Sequence, residues 1–293
     1  MTLFLLSHAA LLRAGISFGG LAVFALLEAR WPRRPRALSR WWRWPGNLGI
    51  ALLGGVAVRL TVPLAAIGVA LLAARHGWGL LPLTGLPSWA QVILAMLVLD
   101  LAIYAQHVMF HLVPPLWRLH RMHHADLDLD VTSGARFHPL EIVLSMLIKM
   151  AVVLALGAPV AAVLLFEILL NFTAMFNHSN LALPAPIDAV LRLWVVTPDM
   201  HRVHHSVLRA ETDSNFGFNL PWWDRLFGTY RARPAAGQLG MELGLPLFRA
   251  TGESRLDRLL TQPFRAPPRA GTGPAAGYTA ADPRDGAARW PQD

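Results

Sequence analysis

The stretch SWAQVILAMLVLDLAIYAQHVMFHL (88–112), continued by PPLWRLHRMHH (114–124), decides the fold. Its first part is an apolar run long enough to cross a bilayer as a helix, which takes roughly 20 residues. The run ends in His107 and His111, which stand at i and i+4 and so share one helix face. Pro114 and Pro115 then restart the chain, and His120-x2-His123-His124 follows at once. A membrane helix that ends in imidazoles and leads directly into more imidazoles puts a histidine site at a membrane surface. The triplet recurs as His201-x2-His204-His205. With 12 His in 293 residues, chance would produce that spacing about 0.02 times per chain, so two copies are not noise.

Composition agrees with a lipid solvent. Hydrophobic residues make up 54% of the chain and charged residues 15%, well below the roughly 25% charged of soluble domains. The mean hydropathy is +0.41. There is no cysteine, which excludes disulfides, thiolate metal sites, iron–sulfur clusters and a Cys nucleophile. The formal net charge is +8. A basic balance can serve nucleic acid, but here the arginines sit beside apolar runs, as the positive-inside rule requires, and no nucleic-acid partner is implied.

Five apolar runs organise the chain, at about 3–27, 46–74, 88–112, 140–156 and 160–177. The first lacks a basic leader and a small-residue cleavage site, so it reads as a retained helix. Gly157-Ala158-Pro159 splits the last two into a hairpin. Between the first two lies a segment dense in Arg and Trp, from Arg30 to Arg43, which suits a cytoplasmic loop. Counting crossings from there puts every histidine motif on the cytoplasmic side. The expected fold is all-α: an integral-membrane bundle of about five helices with a cytoplasmic, histidine-rich helical cap. Three regions follow: membrane helices at 1–99, a histidine-rich catalytic domain at 100–230, and a Pro/Gly/Ala-rich tail at 231–293 that reads as disordered from about Pro263. Charges within the runs are costly and tend to pair. Lys149 and Glu167 lie at equal distance from the hairpin turn and are expected to pair; Arg59 and Asp100 are candidates for a second pair.

Ten histidines fall between positions 107 and 205: His107, His111, His120, His123, His124, His138, His178, His201, His204 and His205. One ion takes about four to six ligands, so ten imidazoles imply two ions. Imidazole suits iron, copper, zinc and nickel alike. The neutral ligand set leaves the site positive, which favours oxidising chemistry. Ligating histidines need acceptors for their second N–H. Asp199, Asp213 and Glu141 are the nearest carboxylates in sequence, although Glu141 and Asp199 would equally suit helix N-termini. Asn215 is either part of that shell or a turn former. Two other functions remain open on this reading. One is a membrane metal-binding or transport module, whose site would lie nearer mid-membrane. The other is a metal-dependent hydrolase acting through bound hydroxide.

Between Asp100 and Tyr230 the sequence resembles the fatty acid hydroxylase superfamily, which includes sterol desaturases and sterol C4-methyl oxidases. The resemblance runs through Asp100-x3-Tyr104-x2-His107-x3-His111, Trp117-Arg118-Leu119-His120-x2-His123-His124, Arg136-Phe137-His138-Pro139-Leu140-Glu141, Asn177-His178-Ser179 and Thr197-Pro198-x2-His201-Arg202-x-His204-His205. Asn215-Phe216-Gly217 and Trp223-Asp224-x2-Phe227-Gly228-Thr229-Tyr230 continue it. It implies an enzyme with two iron ions held by these histidines, O2 as co-substrate, a lipid substrate that is hydroxylated or desaturated, and a separate electron donor such as a ferredoxin or cytochrome b5-like protein with its reductase. The Ala, Arg and Pro bias fits a bacterial inner membrane as the location.

Overall fold

The computed structural model describes residues 8–266. The regular structure among these residues is all helical, with two isolated β-bridges, Pro32 with Leu181 and Ser206 with Leu243, and no strands. The part of the tail beyond residue 266 lies outside the described residues, as does the start of the first apolar run.

Five stretches are long and apolar enough to cross a membrane. α1 (Ala9–Arg30) is the first. The second run is not one straight helix. It divides into α2 (Arg40–Thr61) and α3 (Ala65–His76), because Pro63 has no N–H to continue the ladder and Ala65 adopts a left-handed φ of 47°. The pair still makes one traverse. Gly46 meets the backbone of Ser254 in the cap, Gly54 meets Ile142, and Gly79, just beyond α3, meets the hairpin turn at Gly157. α4 (Ser88–Leu112) follows, and α6 (Pro139–Leu156) and α7 (Val160–His178) form the hairpin. Gly157 has φ 61°, and a Cβ there would lie 2.2 Å from the carbonyl oxygen of Trp78, so the turn requires glycine. The membrane core gathers Ala70, Leu99, Ile103, Val153, Val163 and Phe166, one or more from each of α3, α4, α6 and α7.

The hairpin's charges meet as the spacing predicts. Lys149 Nζ lies 3.3 Å from Glu167 Oε1, and Arg13 of α1 pairs with the same carboxylate. The second expected pair does not form. Asp100 accepts from Asn219 Nδ2 (2.7 Å), Trp223 Nε1 (2.8 Å) and the amide of Leu220, while Arg59 is exposed. The loop of residues 216–224 runs alongside α4 and satisfies Asp100 without a cation.

The cap is built from short helices that start on or beside proline: α5 (Pro114–His124), α8 (Ala185–Leu191) and α9 (Pro198–His204). Thr197 caps α9 and His138 caps α6 through their side chains. Much of the Arg-rich loop is built into this cap. Arg33 holds Asp199 (3.0 Å), and Arg34 donates to the carbonyls of Gln238 and Met241. Arg40 pairs with Glu28 (2.6 Å). Arg43 is fully buried between Asp126 (2.7 Å) and Asp130 (2.6 Å). The tail also packs. Leu245, Leu247 and Leu259 are buried, and Arg118 and Arg121 donate to the carbonyls of Pro263 and Gln262. Arginines of α5 thus hold the backbone of the described tail against the cap as far as Gln262 and Pro263.

Candidate metal centre

The histidines converge from four places. α4 ends in His107 and His111, α5 carries His120, His123 and His124, α7 ends in His178, and α9 with its C-cap supplies His201, His204 and His205. Their ring nitrogens form two buried groups. One holds His107, His111, His120, His124 and His204; the other holds His123, His178, His201 and His205. Within each group the ligand atoms lie within 4.8 Å of one another.

Each His-x2-His-His is shared between the groups. Positions i and i+4 of a helix are about 40° apart around the axis, whereas i+3 falls on the other side of i by about 60°. His120 and His124 therefore enter the first group and His123 the second. In the other triplet, His201 and His205 enter the second group and His204 the first. The rings of His124 and His205 stack across the boundary, 4.6 Å between centroids.

Hydrogen bonds on the far side of the rings fix what faces inward. His107 Nδ1 lies 2.7 Å from the carbonyl oxygen of Phe216, and His204 Nδ1 lies 2.7 Å from that of Ser214. His178 and His123 do the same with Ala174 (2.7 Å) and Arg136 (3.2 Å). His120 Nδ1 is 2.6 Å from Glu141 Oε1, and His111 Nδ1 is 3.1 Å from Asp213 Oδ1. The four carbonyls can only accept, so those four Nδ1 atoms carry the hydrogen, as do those of His120 and His111 when Glu141 and Asp213 are ionised, and in the neutral ring Nε2 then presents a lone pair. Those Nε2 atoms point at one another: His107 to His204 at 3.0 Å, His107 to His120 at 3.1 Å, His123 to His178 at 3.2 Å. Facing lone pairs cannot hydrogen-bond. They repel unless a cation lies among them. Two nitrogens each about 2.1 Å from one ion, with bonds at right angles, lie about 3 Å apart. The donor set thus fits two metal ions. The Nδ1 atoms of His124, His201 and His205 are buried without a hydrogen-bond partner.

Burial keeps these rings neutral. It drives His120 down to about 3, and it lowers His123, His124, His201, His204 and His205 well below the ordinary histidine range, helped by their neighbouring imidazoles. Neutral imidazole is the form that ligates.

His138 stands apart. Its Nδ1 accepts from the amide of Leu140 (3.2 Å), and its Nε2 faces the carbonyl of Leu260 at 3.4 Å. Both nitrogens are used by the cap. Asp199, in the first turn of α9, binds Arg33 and Arg202 and reaches no imidazole. Asn215 has a left-handed φ of 51° and ties Met200 to Arg231 through its amide, as a turn residue does. Of the four polar candidates, Glu141 and Asp213 contact histidines. The sequence reading missed the backbone acceptors and the aromatic rings around the site. Phe137 stacks on His123 at 4.4 Å, and Phe216 stands edge-on to His107, His111 and His204. Their only sequence signal was their place inside the quoted motifs.

Residues 92–229 match the family model described as fatty acid hydroxylase. An ornithine lipid hydroxylase of Rhizobium tropici is 31% identical over 158 residues, covering 53% of this chain and 46% of that protein. Human alkylglycerol monooxygenase is 34% identical over 142 residues, covering 47% of this chain and 30% of its own length. Rat cholesterol 25-hydroxylase is 24% identical over 152 residues, 51% and 50% of the two chains. The matches span half or less of each relative. No solved structure matches the chain.

Proposed function

We propose that this chain, whose residues 92–229 match the fatty acid hydroxylase family model, is a membrane-bound, O2-dependent lipid oxygenase of that family with two iron ions held by nine histidines. The observation that carries the reading is the set of inward lone pairs fixed by Nδ1 partners. His107, His111, His120, His124 and His204 would hold one ion, and His123, His178, His201 and His205 the other. When bound, iron supplies the redox chemistry that turns O2 and a C–H bond into an oxidised lipid. Hydroxylation places one oxygen atom in the product and releases the other as water. That takes two electrons and two protons from a separate donor, for which a ferredoxin or cytochrome b5-like protein fits.

The chain's own groups set up this reaction. The carbonyls of Phe216, Ser214, Ala174 and Arg136 orient four rings. Glu141 and Asp213 orient two more, and each would raise the basicity of its ring when a bound cation favours the carboxylate form. Phe137 and Phe216 keep water from the imidazoles. The apolar core of α3, α4, α6 and α7 adjoins the cluster, so a lipid tail reaches it from the bilayer. The basic loop argues for the cluster facing the cytoplasm, and composition for a bacterial inner membrane. The relatives act, by their names, on an ornithine lipid, alkylglycerols and cholesterol. A lipid with a long alkyl chain or a sterol is the class expected here, hydroxylated or desaturated. Purified protein loaded anaerobically with ferrous ion should carry two irons per chain and consume O2 only with lipid and reductant. Zinc-supported hydrolysis without O2 would overturn the proposal.

A further inference from the structure

The loop that satisfies Asp100 also places one aromatic ring between the membrane core and both histidine groups. Phe218 lies 5.7 Å, ring to ring, from His107 of the first group and 6.1 and 6.2 Å from His201 and His178 of the second. It also packs against the core cluster that contains Leu99, Ile103 and Phe166. It is half-buried, whereas the imidazoles are fully buried. Met146, Met150 and Leu170 pack on the same core and are also only partly covered. Unbranched, adaptable methionines suit contact with an apolar guest of variable shape. Phe137, also half-buried, faces Phe218 at 6.4 Å and stacks on His123.

The backbone under this ring is clamped. The Phe218 carbonyl accepts from Asn177 (2.9 Å), Asn219 is held by Asp100 (2.7 Å), and the amides of Phe216 and Gly217 donate to Asp224 (both 2.8 Å). The side chain can turn while the main chain stays fixed. A phenyl ring touching both groups from the apolar side occupies the place that a reacting C–H must take to reach either ion.

We propose that Phe218, opposed by Phe137, closes the membrane-facing mouth of the site and acts as its specificity-determining residue. The ring swings aside for an apolar chain, and the volume at position 218 sets how deep that chain enters and which carbon is oxidised. The inference rests on the lipid-oxygenase reading for its substrate, but the location of the mouth can be tested without turnover.

The chain has no cysteine, so Phe218→Cys gives a single thiol in an otherwise unreactive background. In proteoliposomes, a lipid-soluble maleimide should label it at least tenfold faster than a charged, water-soluble thiosulfonate, and an added long-chain alcohol should slow that labelling. Faster labelling by the charged reagent, or none by either, would overturn the mouth. With the lipid that wild type oxidises, Phe218→Ala should move the oxidised position by one or more carbons or spread it over several, while iron content stays at the wild-type level. Phe218→Trp should lower turnover several-fold. An unchanged positional distribution in Phe218→Ala at unchanged iron would overturn the specificity role. A wild-type protein that oxidises no lipid, while the Phe218→Cys variant is labelled as expected, would refute the oxygenase reading and leave the apolar mouth standing.

Discussion

Replacing Glu141 by Gln should weaken one metal ion and spare the other. Glu141 Oε1 lies 2.6 Å from His120 Nδ1, and its side chain is 5% exposed. Burial alone pushes the Glu141 carboxyl up to about 8, but a cation on His120 would favour its ionised form, whose short bond to the ring is about twice as strong as a neutral one. Gln keeps the size and an acceptor oxygen but cannot ionise behind a metal-bound ring. Losing such a partner costs about 10- to 100-fold in metal affinity, or about 1.4–2.7 kcal/mol. The close approach and burial of Glu141 place it at the upper end. Asp213 offers a comparison. It lies 3.1 Å from His111, is 22% exposed, and is shared with Arg209, so Asp213→Asn should cost about tenfold or less. In the four-histidine group, His123 and His178 meet backbone carbonyls and the Nδ1 atoms of His201 and His205 meet no partner, so neither change should reach it. The assay is titration of metal-free protein in detergent with Co(II) against a chelator, which resolves two binding steps. One weakened step in Glu141→Gln is the expected result. Two unchanged steps, or two lost together, would refute the reasoning.

His204→Ala should lose an ion and abolish turnover with helicity by circular dichroism retained, whereas His138→Ala should keep both ions and lose only the roughly 1 kcal/mol of a helix cap. Arg43→Met should lower stability by about 3–5 kcal/mol, read as the unfolding midpoint in detergent, because it strands two buried carboxylates. Burial alone would raise the pKa of Asp126; Arg43 and Arg136 overcome that and hold it well below the usual carboxylate range. Metal-free protein should lose stability as pH falls below about 6.5, since the unfolded chain then takes up protons that the buried rings refuse. With His120 at about 3, that ring contributes about 2 kcal/mol of the loss at pH 5, opposed by Glu141, whose carboxyl is pushed up to about 8 and gains stability as pH falls. Thermal melts at pH 7.5 and 5 check this.

The spans and the histidine spacing were legible because each is a local pattern. Apolar runs have a required length, and i, i+3, i+4 spacing has one meaning on a helix. The Lys149–Glu167 pair was legible for the same reason, since a hairpin fixes depth by counting. What the sequence hid is non-local. Nothing near Arg43 announces Asp126 and Asp130, more than eighty residues on, so the arginines of that loop read as a topological signal when several are cap ligands. Asp100 was matched to a cation because depth counting cannot foresee a loop from 216–224 reaching alongside α4. The allotment of each triplet to two groups follows from helix angles, but only once the groups' positions are known. His138 shares its motif with true members of the cluster; its position as the N-cap of α6 turns its nitrogens to the backbone.

The central claim is that this chain puts oxygen chemistry onto a membrane lipid. The direct measurement is mass spectrometry of lipids from cells grown under 18O2 with and without the gene, beside a His204→Ala strain. One lipid class should carry a single 18O atom, or lack two hydrogens, only when the wild-type gene is present. Identical lipid profiles from all three strains, with iron-loaded protein confirmed in the membrane, would contradict the account.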